Sequence, residues 1–129
     1  MTTLFSRIIA RELPGQFVHE DEQCVVFLSI HPLSAGHSLV VPREELDDWL
    51  GCPADLRDHL FAVAQRVGRA IRAVFAPPRV GLVLAGFEVP HLHVHVFGAY
   101  GLETFDFGQA MPADADELAV VAGRLRAAM

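Results

Sequence analysis

Three histidines alternate with apolar residues in the stretch His91-Leu92-His93-Val94-His95-Val96-Phe97. Successive side chains of a β-strand point to opposite faces of its sheet, so this alternation predicts a strand from His91 to Phe97. The apolar side chains between the histidines are expected to enter the core. The three imidazoles then share the other face and are expected to line a cleft.

The rest of the chain carries the patterns of four more strands and three helices. Short apolar runs bounded by Pro, Gly and polar residues predict strands at residues 17–20, 24–30, 38–41 and 79–85. Apolar steps of three and four residues predict a long amphipathic helix from Leu56 to Val74. Shorter helices are predicted over residues 5–12 and after Asp114. We therefore predict one α+β domain over residues 1–129, with a mostly antiparallel five-stranded sheet, one long helix and short N- and C-terminal helices.

The composition excludes several classes of protein. Of the 129 residues, 52% are hydrophobic and 20% are charged, which indicates a globular domain and excludes disordered and fibrous chains. Ten basic residues against sixteen acidic ones give a net charge of −6, which argues against nucleic acid as a partner. All ten basic residues are arginines, so a lysine nucleophile is excluded.

The cysteines and the hydropathy pattern bear on location. Cys24 and Cys52 form no CxxC pair and are too few for a disulfide framework, which favours a reducing compartment. No apolar stretch approaches membrane-spanning length, and the N-terminal residues lack the pattern of a secretion signal. We expect a cytoplasmic protein with no membrane partner.

Three imidazoles on one strand face suit two kinds of chemistry. Neighbouring imidazoles lower one another's proton affinity, so one can be a neutral nucleophile towards phosphorus or acyl carbon while another carries a proton. Imidazoles are also the commonest zinc ligands, and alternate positions of a strand can converge on one ion. The residues themselves leave both chemistries open.

The triad stretch resembles the signature of the histidine-triad (HIT) superfamily, in which three histidines alternate with hydrophobic residues. The resemblance continues through most of the chain. The opening of the family is similar to Leu4-Phe5-Ser6-Arg7-Ile8-Ile9 and Glu12-Leu13-Pro14, and its central block is similar to Phe27-Leu28-Ser29-Ile30-His31-Pro32-Leu33-Ser34-Ala35-Gly36-His37-Ser38-Leu39-Val40-Val41-Pro42.

This resemblance implies a HIT-like fold and a nucleotidyl hydrolase or transferase, closest to the Hint-like branch. Such an enzyme acts on the α-phosphate of purine nucleoside phosphoramidates or related nucleotide conjugates. By position, His93 is implied to be the nucleophile that forms a nucleotidyl-histidine intermediate, which water then resolves. His95 is implied to hold and neutralise phosphate oxygens, His91 to orient the nucleophile through its backbone carbonyl, and His37 to complete the polar cluster.

The resemblance also implies a substrate pocket, an assembly and a lack of cofactors. An apolar cleft suits a nucleobase, and histidines beside it suit a phosphate. Family members are commonly homodimers with a sheet continuous across the interface, so we expect a homodimer, and we expect no cofactor. The residues implied to bind substrate are Phe5, Ile8, Ser29, Ile30, Glu88 and Val89.

Several positions depart from the family's pattern. Phe87 replaces a glutamine that donates hydrogen bonds to phosphate in relatives, which makes polyphosphate substrates less favoured. Glu88 adds a carboxylate that either orients a histidine or repels the phosphate. Thr3 and Ser6 stand where some relatives have the two cysteines of a structural zinc site, and hydroxyls do not replace thiolates. We therefore predict no structural zinc and no other metal.

Two alternatives to a hydrolase stay open at this point. The departures around Phe87 motivate a nucleotide-binding regulatory module that is catalytically weak or inactive. The histidines themselves motivate a metalloenzyme. The segment from Tyr100 to Met111 is expected to be either a lid over the pocket or a contact with a partner subunit, and His19 and His59 are expected on the surface.

Overall fold

Five strands form one open sheet in the order β1-β2-β3-β5-β4, and each neighbouring pair is antiparallel. The structure is a computed structural model that describes residues 2–129. Its elements are α1 (Leu4–Ile9), β1 (Phe17–Glu20), β2 (Cys24–Leu28), β3 (Ser38–Pro42), α2 (Ala54–Phe75), β4 (Arg79–Val83), β5 (Val94–Ala99) and α3 (Ala115–Ala128).

The sheet separates two apolar layers. On one face, α2 and α3 pack against β-strand side chains such as Val26, Val40, Val94 and Val96. On the other face, α1 covers a smaller cluster built around Phe27. Every residue of β2 and β3 is buried, because these central strands are covered on both faces. Within residues 2–129, no helix is long and apolar enough to cross a membrane.

The long helix α2 follows its sequence signals closely. Its apolar positions turn towards the sheet and are buried, as the three- and four-residue steps predict. Pro53 precedes its first residue, where a missing backbone N–H has no consequence. Ala76 ends the helix in the left-handed conformation with φ 50°, and Pro77 and Pro78 prevent its continuation.

The predicted α+β class is confirmed, but β5 begins three residues later than predicted. The amide of His91 donates to the Val89 carbonyl at 2.8 Å, and that of Leu92 donates to the Leu46 carbonyl at 2.6 Å. These amides therefore do not join the ladder, and the strand starts at Val94. The alternation holds where it matters for packing, because Leu92 and Val94 both enter the core on the helix-covered face.

Other predicted ends are also corrected. The second strand ends at Leu28 instead of residue 30, and the fourth at Val83 instead of residue 85. The N-terminal helix ends at Ile9, because Arg11 adopts φ 66°, a conformation that a continuing helix does not allow. The C-terminal helix has 14 residues and is longer than the short helix expected.

Gly36 shapes the loop that delivers His37 to the start of β3. Its φ of +90° lies in the left-handed region, and a Cβ there would come within 2.8 Å of the Phe75 ring. The loop is closed by a hydrogen bond from the His37 amide to the Ser34 carbonyl at 3.1 Å. A glycine therefore lets this loop turn tightly against the end of α2.

We expect Gly36→Ala to lower the free energy of unfolding by about 2 kcal/mol or more, since backbone strain and overpacking each contribute on the order of 1–3 kcal/mol. Gly86 has φ +80° but no atom within 4 Å of a Cβ, so Gly86→Ala carries strain alone and should cost about 1 kcal/mol. Gly51 has open space and no positive φ, so Gly51→Ala is the neutral control. Urea unfolding tests this ranking, and equal stability of the Gly36 and Gly51 variants would contradict it.

Candidate active site

An apolar cavity of about 530 Å³ opens on the face of the sheet that carries α1. This volume falls within the range of small-molecule sites, about 300–1,000 Å³. Its walls come from α1, the residues after it, β2 and the loop behind it, the segment before β5, and the segment after β5. The lining residues are Leu4, Phe5, Ile8, Leu13, Pro14, Gly15, Phe27, Leu28, Ser29, Ile30, His31, His37, Leu39, Glu88, Val89, His93, His95, Phe107 and Ala110.

The cavity brings together every residue predicted for the site except His91. Three of the four histidines predicted to be catalytic line it, together with all six residues predicted to bind substrate. His91 is fully buried and does not line the cavity. The expectation that three imidazoles line a cleft is therefore corrected to two triad histidines and His37.

His93 has one free ring nitrogen. Its Nδ1 lies 2.7 Å from the backbone carbonyl of His91, and a carbonyl only accepts, so Nδ1 carries the proton. In the neutral ring, Nε2 therefore presents a lone pair, 3.4 Å from Oε2 of Glu88 at the cavity wall. The ring of Phe5 packs edge-on against the imidazole at a centroid distance of 4.9 Å and fixes its plane.

His95 has one free N–H group. The amide of Leu33 donates to Nδ1 of His37 at 2.9 Å, so neutral His37 carries its proton on Nε2. That N–H donates to Nδ1 of His95 at 2.9 Å, which leaves the proton of neutral His95 on Nε2. Nε2 of His95 is buried without a hydrogen-bond partner in residues 2–129. This N–H group can donate to an acceptor in the cavity.

Burial keeps these imidazoles neutral. Desolvation lowers the pKa of His37 to about 3 and that of His95 to about 4, with neighbouring histidines adding to the shift. Desolvation also lowers the pKa of His91. The sequence predicts a charged imidazole next to the nucleophile, but His95 is neutral in the structure and offers a neutral N–H donor instead.

His91 is fixed by contacts on both ring nitrogens. Its Nε2 donates to the carbonyl of Pro42 at 2.8 Å, so Nδ1 accepts from the hydroxyl of Thr3 at 2.6 Å. Ser6 donates its hydroxyl to Oε1 of Glu45 at 2.6 Å, which lowers the pKa of that carboxyl. The backbone carbonyl that holds His93 is therefore anchored through the start of α1.

The same four side chains do not fit a structural zinc ion. Thr3 and Ser6 offer hydroxyls in place of thiolates, and both hydroxyls are engaged in hydrogen bonds with His91 and Glu45. The polar cluster connects α1 to the triad by hydrogen bonds and requires no ion to do so.

Phe107 belongs to the site and is not predicted as a site residue from the sequence. Its ring packs edge-on against His95 at 4.8 Å and against His37 at 6.4 Å. The segment that carries it is tied back to the pocket rim, because the Ala113 amide donates to the Ile30 carbonyl at 3.0 Å. Of the two roles expected for residues 100–111, this contact favours a cover over the pocket. The aromatic content of the segment is the only sequence signal for it.

The sequence of this chain matches a known protein family. A family model described as HIT domain matches residues 10–102, a range that includes His37 and the triad. The chain belongs to the HIT domain family. The HIT-like fold expected from the triad and the central block is confirmed.

Several relatives support the family membership. Protein hit from Bacillus subtilis is 32% identical over 121 residues, which cover 88% of this chain and 81% of that protein. An uncharacterized HIT-like protein from Methanocaldococcus jannaschii is 34% identical over 122 residues, which cover 89% and 94%. The crystal structure of a hypothetical histidine triad nucleotide-binding protein from Sulfolobus tokodaii superposes with a TM-score of 0.85 at 27% identity, covering 96% of this chain and 89% of that one.

The buried neutral histidines of this HIT domain predict a pH-dependent stability. Below the ordinary histidine pKa of 6.5, the unfolded chain protonates His37 and His95, whereas in the folded chain burial lowers the pKa of His37 to about 3 and that of His95 to about 4. The unfolded state therefore binds more protons, and stability falls as the pH drops from 6.5 towards 4, by up to about 1.4 kcal/mol per pH unit for each histidine.

Urea unfolding between pH 7 and pH 4 measures this slope. We expect His95→Gln to lose its part of the slope, because the residue that titrates is gone, whatever the variant's stability at pH 7. Val120→Ala changes an exposed residue with no titratable group and should leave the slope unchanged. Identical slopes for the wild type and His95→Gln would show that burial of His95 does not set the acid stability.

Proposed function

We propose that this HIT domain protein binds a purine nucleotide conjugate and cleaves it at the α-phosphate, as a nucleotidyl hydrolase or transferase of the phosphoramidase type. The observation that carries the proposal is the pair of complementary groups at one cavity wall. His93 offers a nitrogen lone pair, and His95 offers an unpartnered N–H. A nucleophile beside an oxyanion donor is the arrangement that attack on phosphorus needs.

In the proposed first step, Nε2 of His93 attacks phosphorus and the bond from phosphorus to the leaving nitrogen breaks. The departing amine takes a proton from solvent. His93 keeps its Nδ1 proton, and the His91 carbonyl accepts this N–H and stabilises the charge that develops on the ring. His95 donates Nε2–H to a non-bridging phosphate oxygen.

In the second step, water attacks the phosphorus of the nucleotidyl-histidine intermediate. The bond from phosphorus to Nε2 of His93 breaks, a proton returns to solvent, and nucleoside monophosphate leaves. The net reaction converts phosphoramidate and water to monophosphate and amine. His37 takes no part in bond changes, since it acts through His95, whose tautomer it sets.

The apolar wall supplies the proposed nucleoside pocket. Phe5, Ile8 and Ile30 offer faces for a base, and Val89 closes the side next to the triad. Ser29 accepts the amide of His31 at 3.2 Å and so keeps its hydroxyl proton free for a ribose oxygen. The nucleotide-binding name of the Sulfolobus tokodaii protein supports the same ligand class for this site.

Two residues before the triad restrict the substrate in this proposal. Phe87 is 95% exposed and does not line the cavity, so no side chain at this position holds further phosphates. Glu88 lies 3.4 Å from Nε2 of His93, where it repels additional negative charge. Both features favour a conjugate with a single phosphate over a polyphosphate chain. Both features are also compatible with a regulatory module that binds the nucleotide without catalysis.

The first experiment measures release of nucleoside monophosphate from a purine nucleoside phosphoramidate. We expect steady release by the wild type and a loss of at least about 1,000-fold in His93→Ala, because the covalent route is removed. Val120→Ala, an exposed change on α3, is the control for handling and purity. Circular dichroism and nucleotide binding confirm that His93→Ala is folded.

The outcomes separate the three readings of the site. Equal release by the wild type and His93→Ala would reject His93 as nucleophile. Nucleotide binding without product in either protein would favour the regulatory module. Glu88, His93 and His95 also place ligand-type atoms within 4.8 Å of one another, and this grouping favours the metalloenzyme as a second candidate. Activity that disappears on chelation and returns with metal would support it.

A homodimer and a cytoplasmic location complete the proposal. β4 is an edge strand, and only β5 pairs with it in the described chain. Beside it, Phe61 of α2 is 62% exposed and Leu82 is 40% exposed, with Trp49 and Leu84 nearby. An unpaired edge flanked by apolar side chains suits pairing with the same edge of a second copy. Both cysteines are free thiols, which suits a reducing compartment.

We expect the protein to sediment as a dimer and Leu82→Asp to sediment as a monomer, because the new carboxylate would be buried between two copies of β4. Val120→Asp changes an apolar residue on α3 that is 63% exposed, more than Leu82, and should leave the dimer intact. Sedimentation velocity at micromolar concentration makes the measurement. A monomeric wild type, or loss of the dimer only in Val120→Asp, would contradict an interface at β4.

A further inference from the structure

A second cluster of ligand-type side chains lies on the opposite face of the sheet from the cavity. His19 belongs to β1, Asp21 to the turn after it, Cys24 to β2, and His59 to the second turn of α2. The sequence predicts both histidines on the surface. Instead their side chains are only 16% and 30% exposed, and that of Asp21 is 26% exposed. Cys24 is fully buried in the core on the helix-covered face.

One carboxylate oxygen is the centre of this cluster. Oδ2 of Asp21 lies 2.8 Å from Nε2 of His19, 2.8 Å from Nε2 of His59 and 3.5 Å from Sγ of Cys24. The other oxygen, Oδ1, accepts the amides of Gln23 and Cys24 at 2.8 Å each, which fixes the carboxylate. A carboxylate oxygen has about two lone-pair positions, so three donors compete for Oδ2. Hydrogen bonds to Oδ2 therefore cannot satisfy all three donor atoms at once.

We propose that His19, Asp21, Cys24 and His59 bind one divalent transition metal ion of the zinc type. Two imidazole nitrogens, a carboxylate oxygen and a thiolate sulfur are zinc-type ligands, whereas magnesium and calcium prefer oxygen alone. The ligand atoms of His19, Asp21 and Cys24 lie within 4.8 Å of one another, and that of His59 touches the same oxygen.

The charges of the proposed site balance. Cys24 releases its thiol proton to solvent on binding, and each imidazole keeps one ring proton, on Nδ1, so that Nε2 presents its lone pair. Carboxylate and thiolate then match the two charges of the ion. The side chain of Arg43 donates to the Asp21 carbonyl at 2.7 Å and lies 3.6 Å from the carboxylate of Glu20, so it is engaged outside the ligand set.

The ion would connect parts of the fold that are distant in sequence. Three ligands come from the β1–β2 hairpin. The fourth, His59, comes from α2 and lies 35 residues after Cys24 in the sequence. A ligand that binds only the folded chain stabilises it. Binding at this cluster is therefore coupled to stability and is separate from the chemistry of the triad.

Zinc titration of untagged, chelator-treated full-length protein tests the proposal by calorimetry. We expect one zinc ion per chain and at least about tenfold weaker binding in His59→Ala and in His19→Ala, since each loses a ligand. His31→Ala removes a histidine outside the cluster and should bind as the wild type does. Circular dichroism checks the fold of each variant, and zinc should raise the Tm of the wild type but not that of His59→Ala.

Cobalt(II) identifies the sulfur ligand. A bound Co²⁺ with a thiolate ligand should give a near-ultraviolet charge-transfer band, and this band should be absent in Cys24→Ser while the visible bands persist. No zinc binding by the wild type would overturn the proposal. So would binding that is lost in His93→Ala and kept in His59→Ala, because the ion would then belong to the triad.

Discussion

The hydrogen bond from the Leu33 amide to Nδ1 of His37 decides where the protons of the cavity lie. An amide N–H only donates, so His37 must carry its proton on Nε2, and His95 must then carry its own on the nitrogen that faces the cavity. The His91 carbonyl acts in the same way on His93, with the opposite result. Two backbone groups therefore give the neutral forms of His93 and His95 opposite roles, so that one imidazole is a nucleophile and its neighbour is a donor.

Burial adds to this arrangement. Desolvation holds His37 and His95 neutral, and the Nε2–H group of His95 has no acceptor among residues 2–129. Its acceptor therefore has to come from within the cavity. A phosphate oxygen suits this position, because an anion accepts a hydrogen bond more strongly than water and also favours protonation of the ring. The wall of Phe5 and Phe107 beside the imidazoles strengthens this by keeping the local dielectric low.

Local patterns in the sequence predicted what depends on local structure. The alternation around His93 and the helical steps of α2 gave the strand, the helix and their buried faces, because both depend on neighbours a few residues apart. The start of β5 could not be predicted in this way, since it depends on an amide that bonds to Leu46. The contact of Phe107 with His95 likewise needs the chain to return after β5. The resemblance to the HIT superfamily predicted the residues of the pocket, but it did not predict the tautomers of His37, His93 and His95.

The two histidine clusters differ in what their ring nitrogens face. At the cavity, one ring nitrogen of His93 is bonded to the His91 carbonyl and one of His95 is bonded to His37. The other nitrogen of each ring faces an apolar cavity, so a ligand supplies its partner. At Asp21, two Nε2 atoms and a thiol converge on a single oxygen of the protein itself. An open nitrogen suits turnover, because the ligand that completes it can leave again. Nitrogens directed at a fixed carboxylate suit a resident ion, because the protein itself supplies the ligands and none needs to come from a substrate.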